Sequence, residues 1–539
     1  MARPENQLWA IFRTVLFRMS KAVYWDGHHS ARPESSLTQP QPAPLAKLLV
    51  DLPILRVEGD PETVVTGIVD DSRKAGPGSL FVALRGQQFD GRRFIPDVVA
   101  RGASVVVCQE FPAGAPRPQA VVLVEDCHKA LGRLASGFFD HPSRQLQLIG
   151  VTGTDGKTST TLLTAAILRA AGKQVGHATT VEVHDSLAPR PNMAGFTTLQ
   201  AMELQSLLRD MVDAGAQAAV LEVSSHALAM ERVEGCEFDV AVFTNLAPEH
   251  LDFHHTLEEY RRQKARLFDM LGPTARHKPW ETIGVVNADD PEAAFFAAHC
   301  ARPKSCGIDH AADVRATGIV CGPRGSRFTL EIAGESAEIE TRLLGRFNVR
   351  NWLAAATAAW AAGAALQDVA QAASEMRPVP GRMEQFDYGQ PFSLYVDFAH
   401  TPQGLSAALQ TLREIIRGRT IAVFGHAGRR DTNHRRGLVE VAKAGCDLFI
   451  LTMDDPYDED PAAILEQMRQ AAIASGCREG QDFLCVPDRR AAFQTAFDLA
   501  LPGDAVLLAG RGHETTIPLA QERIPFHDAS VARELLARV

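Results

Sequence analysis

The chain has 539 residues and no two cysteines spaced as C-x-x-C. Its nine cysteines are scattered, Cys300 and Cys306 being the nearest pair. The sequence therefore offers neither a zinc-ligand spacing nor a disulfide framework, and it suits a reducing, cytoplasmic compartment. It also lacks any uninterrupted apolar run of the roughly 18 residues that a membrane-spanning helix needs, so stable membrane insertion is not expected. An excess of positive charge is missing as well. Lys and Arg number 55 against 65 Asp and Glu, a formal net charge of −10, which argues against nucleic acid as a main partner because such binders present basic surface. What is present is ordinary for a globular chain, 45% hydrophobic and 22% charged. At roughly 150 residues per domain the length predicts about three domains, each able to bury a core.

Residues 1–44 read as a flexible N-terminal extension. Trp9, Ile11, Phe12, Val15, Leu16 and Met19 fall at helical spacing, but Arg13, Arg18 and Lys21 interrupt any secretory core, and the segment runs into the linker-like Gln39-Pro-Gln-Pro-Ala-Pro44. Residues 45–142 alternate short Val/Leu-rich strands with Gly/Pro turns and read as a small α/β domain. From 143 to 377 the apolar strands LQLIGV, QAAVLEV, FDVAVFTN and ETIGVVN alternate with periodic helices, which predicts a doubly wound, mostly parallel sheet. The turn Pro378-Val-Pro-Gly-Arg382 opens residues 378–539, where LYVDFAH, TIAVFGHAG, DLFILTMDD and DAVLLAGRGHE predict a Rossmann-like α/β domain with polar strand tips. The fold class is thus α/β in three domains.

The most informative segment is LIGVTGTDGKTST, Leu148 to Thr160, where an apolar strand runs into a Gly-rich turn and then a helix. Gly153 and Gly156 let backbone N–H groups approach phosphate oxygens, Lys157 can reach the β and γ phosphates of a nucleoside triphosphate, and the Thr158 hydroxyl can sit on Mg²⁺. Counted from Gly153, the loop is two residues shorter than the common G-x-x-x-x-G-K-[ST] form, which points to a particular subfamily. A neighbouring strand ends in Glu222, a carboxylate placed to hold Mg²⁺, and is followed by Ser224-Ser225-His226. FTNLAPEHLDFHHTLEEYRRQKARLF then delivers Asn245, His250, Asp252 and Lys264.

With DDSRKAGPGSLFVALRG, GVTGTDGKTST, LEVSSHAL, FTNLAPEHLDFHHTLEEYRRQKARLF, NADDP, GRFNVRNWLAAATAA, GRME, VDFAHTP, VFGHAGRRD and GRGHET in this order, the chain resembles the Mur ligase family over roughly residues 64–535. These are ATP-dependent amide-forming enzymes of peptidoglycan precursor synthesis. Within the family, the opening DSR segment and EVSSHAL are most similar to the enzymes that add the third residue to UDP-N-acetylmuramoyl-L-alanyl-D-glutamate. The resemblance implies ATP and Mg²⁺ as cofactors, the muramoyl dipeptide and a free diamino acid as substrates, an acyl-phosphate route and action as a monomer. It assigns catalysis to Lys157, Glu222, His250 and Lys264. ATP falls to Gly153, Thr154, Asp155, Gly156, Lys157, Thr158 and Ser159, to Asn287, Asn348 and Asn351 on the adenosine side, and to Arg382, Asp397 and His400. Mg²⁺ falls to Thr158, Glu222, His250 and Lys264, the last at the position where the family carries a carbamylated lysine. Ser72, Thr197, Thr198, Ser225 and Arg232 match positions that hold the muramoyl dipeptide, and Arg430, Asp454, Asp455, Tyr457, Gly510 and Glu514 those around the incoming amino acid.

Departures from the family pattern bear on specificity. Members that add meso-diaminopimelate share a D-N-P-R stretch whose arginine can pair with that substrate's second carboxylate. Here the residues are Asp454-Asp455-Pro456-Tyr457, followed by Asp458, Glu459 and Asp460, which predicts a preference for L-lysine or L-ornithine; the alternatives are a meso-diaminopimelate-adding ligase of the same type, with Arg430 binding the second carboxylate, or another Mur or folylpolyglutamate-type ligase. Ala247-Pro248-Glu249 stands where Ser-Arg-Asp is usual before the histidine, Leu199 follows Thr198 where proline is common, and Arg511 replaces a lysine.

Overall fold

In the computed structural model the described residues are 41–86, 90–272 and 277–537. Residues 1–40 of the expected extension lie outside them. Its last two residues, Ala43–Pro44, form a short strand antiparallel to Val64–Val65, and Leu45 beside them is fully buried. The linker-like composition does not separate these residues from the fold, because proline is compatible with extended backbone at a sheet edge.

Among the described residues three large sheets form the body of the fold, beside two two-stranded pairs, Ala43–Pro44 with Val64–Val65 and Thr516–Pro518 with Arg523–Pro525. The first has five strands, β1 (Ile54–Gly59), β2 (Gly67–Val69), β3 (Ser79–Val82), β4 (Val105–Cys108) and β5 (Ala120–Val124), in the order β1-β5-β4-β3-β2. All neighbours are parallel except β1 with β5. The runs SLFV and VVVC are buried throughout, as strands covered on both faces must be.

The central sheet has eleven strands. Its parallel part is built from β6 (Gln147–Thr152), β7 (Val175–Ala178), β8 (Ala218–Glu222), β9 (Val240–Phe243), β10 (Ile283–Asn287), β11 (Pro303–Gly307) and β12 (Val314–Gly322), in the order β7-β8-β6-β9-β10-β11-β12. Glu182–His184 and Pro189–Pro191 extend one edge antiparallel. At the other edge β13 (Gly325–Ile332) and β14 (Glu335–Thr341) add an antiparallel meander. That meander is not among the strands expected from the sequence, although Phe328, Leu330 and Ile332 are buried at alternate positions. Its inward residues pack on the helix that follows, and the pattern is a period-two strand signal.

Three helices position the site: α1 (Lys157–Ala170), α2 (Leu257–Asp269) and α3 (Arg346–Ala361). Helix α3 runs through the main core, with Trp352, Leu353 and Ala354 to Ala356 at most 2% exposed. Its small side chains permit close approach to α1. Helix α2 is N-capped by Thr256, whose side chain accepts the Glu259 N–H, and buries Tyr260, Lys264, Leu267 and Phe268 on one face. Lys264 thus occupies an apolar stripe.

The third sheet has six strands, Glu384–Phe386, β15 (Ser393–Asp397), β18 (Ala505–Ala509), β16 (Thr420–Phe424), β17 (Leu448–Leu451) and Phe483–Cys485 in spatial order. Only the first is antiparallel to its neighbour. The architecture is the expected α/β class with a large central parallel sheet. Among the described residues no helix is long and apolar enough to cross a membrane.

At the start of β9, Asp239 and Lys278 form an ion pair in which both side chains are inaccessible to solvent, and Asp239 also accepts the Leu148 N–H at 2.7 Å. Lys278→Ala leaves that carboxylate without its counter-charge inside the protein. We expect a loss of about 3–5 kcal/mol in the stability of the central sheet. Urea unfolding followed by hydrogen exchange at β6 and β9 measures it, and an unchanged transition would show that the pair is not structural.

Candidate active site

The carboxyl ends of β6, β8, β9 and β10 converge on one cavity of about 530 Å³ that the third sheet also borders. The loop after β6 forms its floor. Gly153 has φ 147°, and a Cβ there would lie 1.8 Å from the Thr244 hydroxyl. Gly156 has φ 82°, and a Cβ there would lie 2.3 Å from the Asn351 amide oxygen. Both positions require glycine. The loop is pinned by Asn245, whose amide accepts the Asp155 N–H at 2.9 Å and donates to the Asp155 carbonyl at 3.0 Å, and by Thr244, which donates to the same carbonyl at 2.7 Å. Lys157 lies over the loop, donating to the Gly153 and Thr154 carbonyls. Thr154, Asp155 and Ser159 border the same cavity.

Glu222 closes one side. Its Oε2 accepts from the Thr158 hydroxyl at 3.0 Å and from the Thr180 N–H and hydroxyl at 2.9 and 3.1 Å. Sequence reasoning did not single out Thr180. Its only signal is the polar pair Thr179-Thr180 after β7. His250 follows β9 in a left-handed conformation, φ 56°. Burial pushes its imidazole down to about 3, so it is neutral near pH 7, the form in which histidine ligates metals. Lys264, 1% exposed, donates to the Gly153 carbonyl at 2.6 Å and lies 4.3 Å from the Tyr260 ring centroid. Burial, aided by the charge on Lys157, holds its ammonium well below the ordinary lysine range.

On the far side, Asn287 lines the cavity at the end of β10, its amide donating to the Thr244 carbonyl at 2.8 Å. Of the two α3 asparagines, Asn351 faces the loop. Asn348 lies behind it, 1% exposed, accepting the Asn351 amide at 3.0 Å and donating to the Leu344 carbonyl. The adenosine contact assigned to Asn348 is therefore replaced by a supporting one. The sequence could not separate them, because positions three apart share a helix face.

The third sheet contributes Arg382, Asp397, His400 and Arg430. Arg382 donates to the Thr158 hydroxyl at 3.2 Å, and Arg430 lies 3.5 Å from His250 Nδ1. Asp397 accepts the Met383 and Ala399 N–H groups at 2.6 and 2.7 Å. Burial raises its pKa, against the opposing charge of Arg382.

The residues expected to hold the larger substrate fall into two places. Thr197 borders the cavity. Thr198, Ser225 and Arg232 lie beside it: Thr198 donates to the Glu222 carbonyl at 2.9 Å, Arg232 donates to the Thr198 carbonyl at 3.2 Å, and Ser225 pairs with His254 at 3.0 Å. Ser72 is in the first sheet's domain, on a short 3₁₀ turn capped by Asp71, and does not line the cavity.

Asp454, Asp455, Gly510 and Glu514 form a separate cluster around the buried Arg511, while the Tyr457 N–H donates to the Pro518 carbonyl at 3.1 Å. The Arg511 guanidinium contacts Asp455 and lies 3.9 and 3.7 Å from Asp454 and Glu514. Gly510 has φ 109°, and a Cβ there would lie 2.3 Å from Asp454. Burial and the Asp454 charge raise the Glu514 carboxyl against the pull of Arg511. Tyr457 adopts φ 54°, with the Arg429 guanidinium 5.8 Å from its ring centroid.

Among the described residues no group of three or more His, Cys, Asp or Glu side chains is arranged to hold a metal ion alone. The donor set nevertheless fits a phosphate-bound Mg²⁺. The Thr158 hydroxyl and Glu222 carboxylate are joined, His250 is neutral, and Asp155 Oδ2 is buried without a hydrogen-bond partner.

Known proteins resemble this chain along most of its length. Residues 64–139 match "Mur ligase family, catalytic domain", 151–359 "Mur ligase middle domain" and 381–512 "Mur ligase, glutamate ligase domain". A UDP-N-acetylmuramyl-tripeptide synthetase of Roseiflexus sp. (strain RS-1) is 44% identical over 483 residues, covering 88% of this chain and 95% of the relative. A UDP-N-acetylmuramoyl-L-alanyl-D-glutamate–2,6-diaminopimelate ligase of Geobacillus kaustophilus is 41% identical, covering 91% and 98%. A solved ligase of the latter name is 30% identical with a TM-score of 0.64, covering 92% of this chain and 99% of its own.

Gly156→Ala should weaken binding of a fluorescent ATP analogue at least ten-fold, since the added methyl strains a backbone at φ 82° and displaces the Asn351 amide, and a retained circular-dichroism spectrum separates this from unfolding. Wild-type affinity in that variant would remove the loop from nucleotide binding.

Proposed function

Because the chain belongs to the Mur ligase family, we propose that it is the ATP-dependent ligase that adds a diamino acid as third residue to UDP-N-acetylmuramoyl-L-alanyl-D-glutamate, in the cytoplasm. The observation that carries this reading is a glycine-demanding phosphate loop faced by Glu222 on one side and by Arg382 and His400 of another domain on the other. The names of the relatives support the acceptor.

Condensing a carboxylate with an ammonium in water has no good leaving group, so activation is what ATP supplies. The D-glutamate γ-carboxylate attacks the γ-phosphorus, ADP leaves, and the resulting acyl phosphate is displaced by the amine with release of phosphate. Mg²⁺, when bound, offsets the crowding of negative charge among the phosphates. Thr158, Glu222 and His250 are the side chains that would hold it. Lys157 supplies a positive charge over the loop, and Arg382 brings a second from the C-terminal domain, so the γ-phosphate is bracketed only when the two domains meet. Lys264 acts as a carbamate: its neutral amine adds CO₂ and releases one proton, giving an anion where the ammonium stood. That anion can join the metal-binding set. Phosphate release that needs both the muramoyl dipeptide and an amino acid tests the whole reading. Release with ATP alone, or with a folate acceptor instead, would overturn it.

The amino acid is the finer question. The diaminopimelate named for several relatives favours that substrate, and the exposed Arg430 beside the cavity is a guanidinium available to a second carboxylate. The residues of the pocket favour a substrate with one carboxylate. Arg511 is shared among three acids, and Arg489 is already committed to Asp528, leaving an excess of negative charge suited to the side-chain ammonium of L-lysine or L-ornithine. We therefore keep lysine or ornithine as the reading.

Three outcomes check these assignments. Lys157→Ala should abolish turnover, and most of the wild-type kcat remaining would contradict its role. Lys264→Ala should be nearly inactive and partly rescued by a short-chain carboxylate, while the wild-type protein equilibrated with carbon-13 bicarbonate shows a carbamate signal that the variant lacks. A normally active alanine variant, or no such signal in active enzyme, would remove the modification. Discrimination against meso-diaminopimelate should be roughly thirty-fold, corresponding to about 2 kcal/mol for a lost charge-assisted pair, and Tyr457→Arg should narrow it. A kcat/KM for meso-diaminopimelate at or above that for both basic amino acids would reverse the choice.

A further inference from the structure

Side-chain contacts that span the cavity between the central and C-terminal domains include Arg382 with Thr158, Arg430 with His250, and His400 with Glu249. Among the described residues the last is the ion pair that joins the two sheets. Glu249 lies in the loop between β9 and α2 and is 8% exposed. Its Oε1 is 3.5 Å from Nε2 of His250, in its own domain, and 3.5 Å from Nε2 of His400, in the other. Its Oε2 lies 3.4 Å from the Tyr260 hydroxyl, which also meets Thr154 of the phosphate loop at 3.3 Å. His400 is oriented from behind, its Nδ1 2.7 Å from the Phe398 carbonyl, so Nε2 is the nitrogen that faces Glu249. One carboxylate therefore touches the loop through Tyr260, a candidate metal ligand, and the opposing domain.

We propose that Glu249 is a closure latch, a positioning residue that holds the C-terminal domain against the phosphate loop before the substrates are bound. The residue is one of this chain's departures, a glutamate where the resemblance places an aspartate. A side chain shorter by one methylene withdraws the carboxylate by about 1.5 Å from His400, beyond ion-pair reach of the present backbone position. The extra length is what lets a central-domain loop residue bridge to the other domain. The consequence is a closed arrangement in which Arg382 stands at Thr158.

The latch relies on the ligase reading only for the choice of nucleotide. Small-angle X-ray scattering of the full chain without ligand should give a larger radius of gyration for Glu249→Asp and His400→Asn than for the wild type, and saturating ATP analogue with Mg²⁺ should bring all three to one compact value. Scattering curves of the ligand-free variants that superpose on the wild type would overturn the proposal. Affinity for the same analogue provides a readout that general damage would not produce. Glu249→Gln and His400→Asn should each weaken binding roughly ten-fold, and the double variant should lose no more than the worse single one, because both remove the same contact. Fully additive losses would also overturn it. A failure of dipeptide-dependent phosphate release would leave these two measurements unaffected and so would count against the ligase reading alone.

Discussion

The contact between the Lys264 amine and the Gly153 carbonyl, 2.6 Å long and out of reach of water, is the constraint on which the site depends. It ties the middle of α2 to the point where β6 turns into the phosphate loop. A charged ammonium in that place is costly, since burial and Lys157 both disfavour it. The surrounding carboxylates, Asp155, Glu222 and Glu249, pull the other way, and the loop, the strand tips and the helix are held together by how this conflict is resolved. A neutral amine resolves it by losing a proton, and a carbamate by reversing the sign of the group.

The same conflict explains why the site is divided between domains. The central sheet gathers the carboxylates Asp155, Glu222 and Glu249 at its carboxyl edge beside His250, with Lys157 as the cation over the loop. The C-terminal sheet brings Arg382, His400 and Arg430 to meet them. Neither half balances its charge alone, and a triphosphate adds further negative charge. Bringing the second half up is therefore electrostatically coupled to binding, and expulsion of water on closure would strengthen each of these interactions and protect an acyl phosphate from hydrolysis.

Local chemistry was legible in the sequence wherever a short run of residues carries its own geometry. The loop from Gly153 to Ser159, the carboxylate at the tip of β8 and the buried lysine on α2 come together in space around one cavity or its immediate wall. Relations between distant segments were not legible. Nothing near Arg511 announces that it would sit among Asp454, Asp455 and Glu514, and a replacement of lysine by arginine looks conservative until that partner set is known. Asn348 and Asn351 share a motif, but only Asn351 reaches the loop. The antiparallel meander β12–β14 was missed for a different reason. Its strands are half exposed, so they lack the continuous apolar runs by which the parallel strands were found.

In the proposed reaction the acceptor carboxylate attacks the γ-phosphate of ATP directly. Oxygen tracing tests it most directly. With oxygen-18 in both positions of the D-glutamate γ-carboxylate of UDP-N-acetylmuramoyl-L-alanyl-D-glutamate, the account predicts that each phosphate released carries one labelled oxygen and that the new amide keeps the other. Unlabelled phosphate accompanied by normal formation of the tripeptide would contradict it.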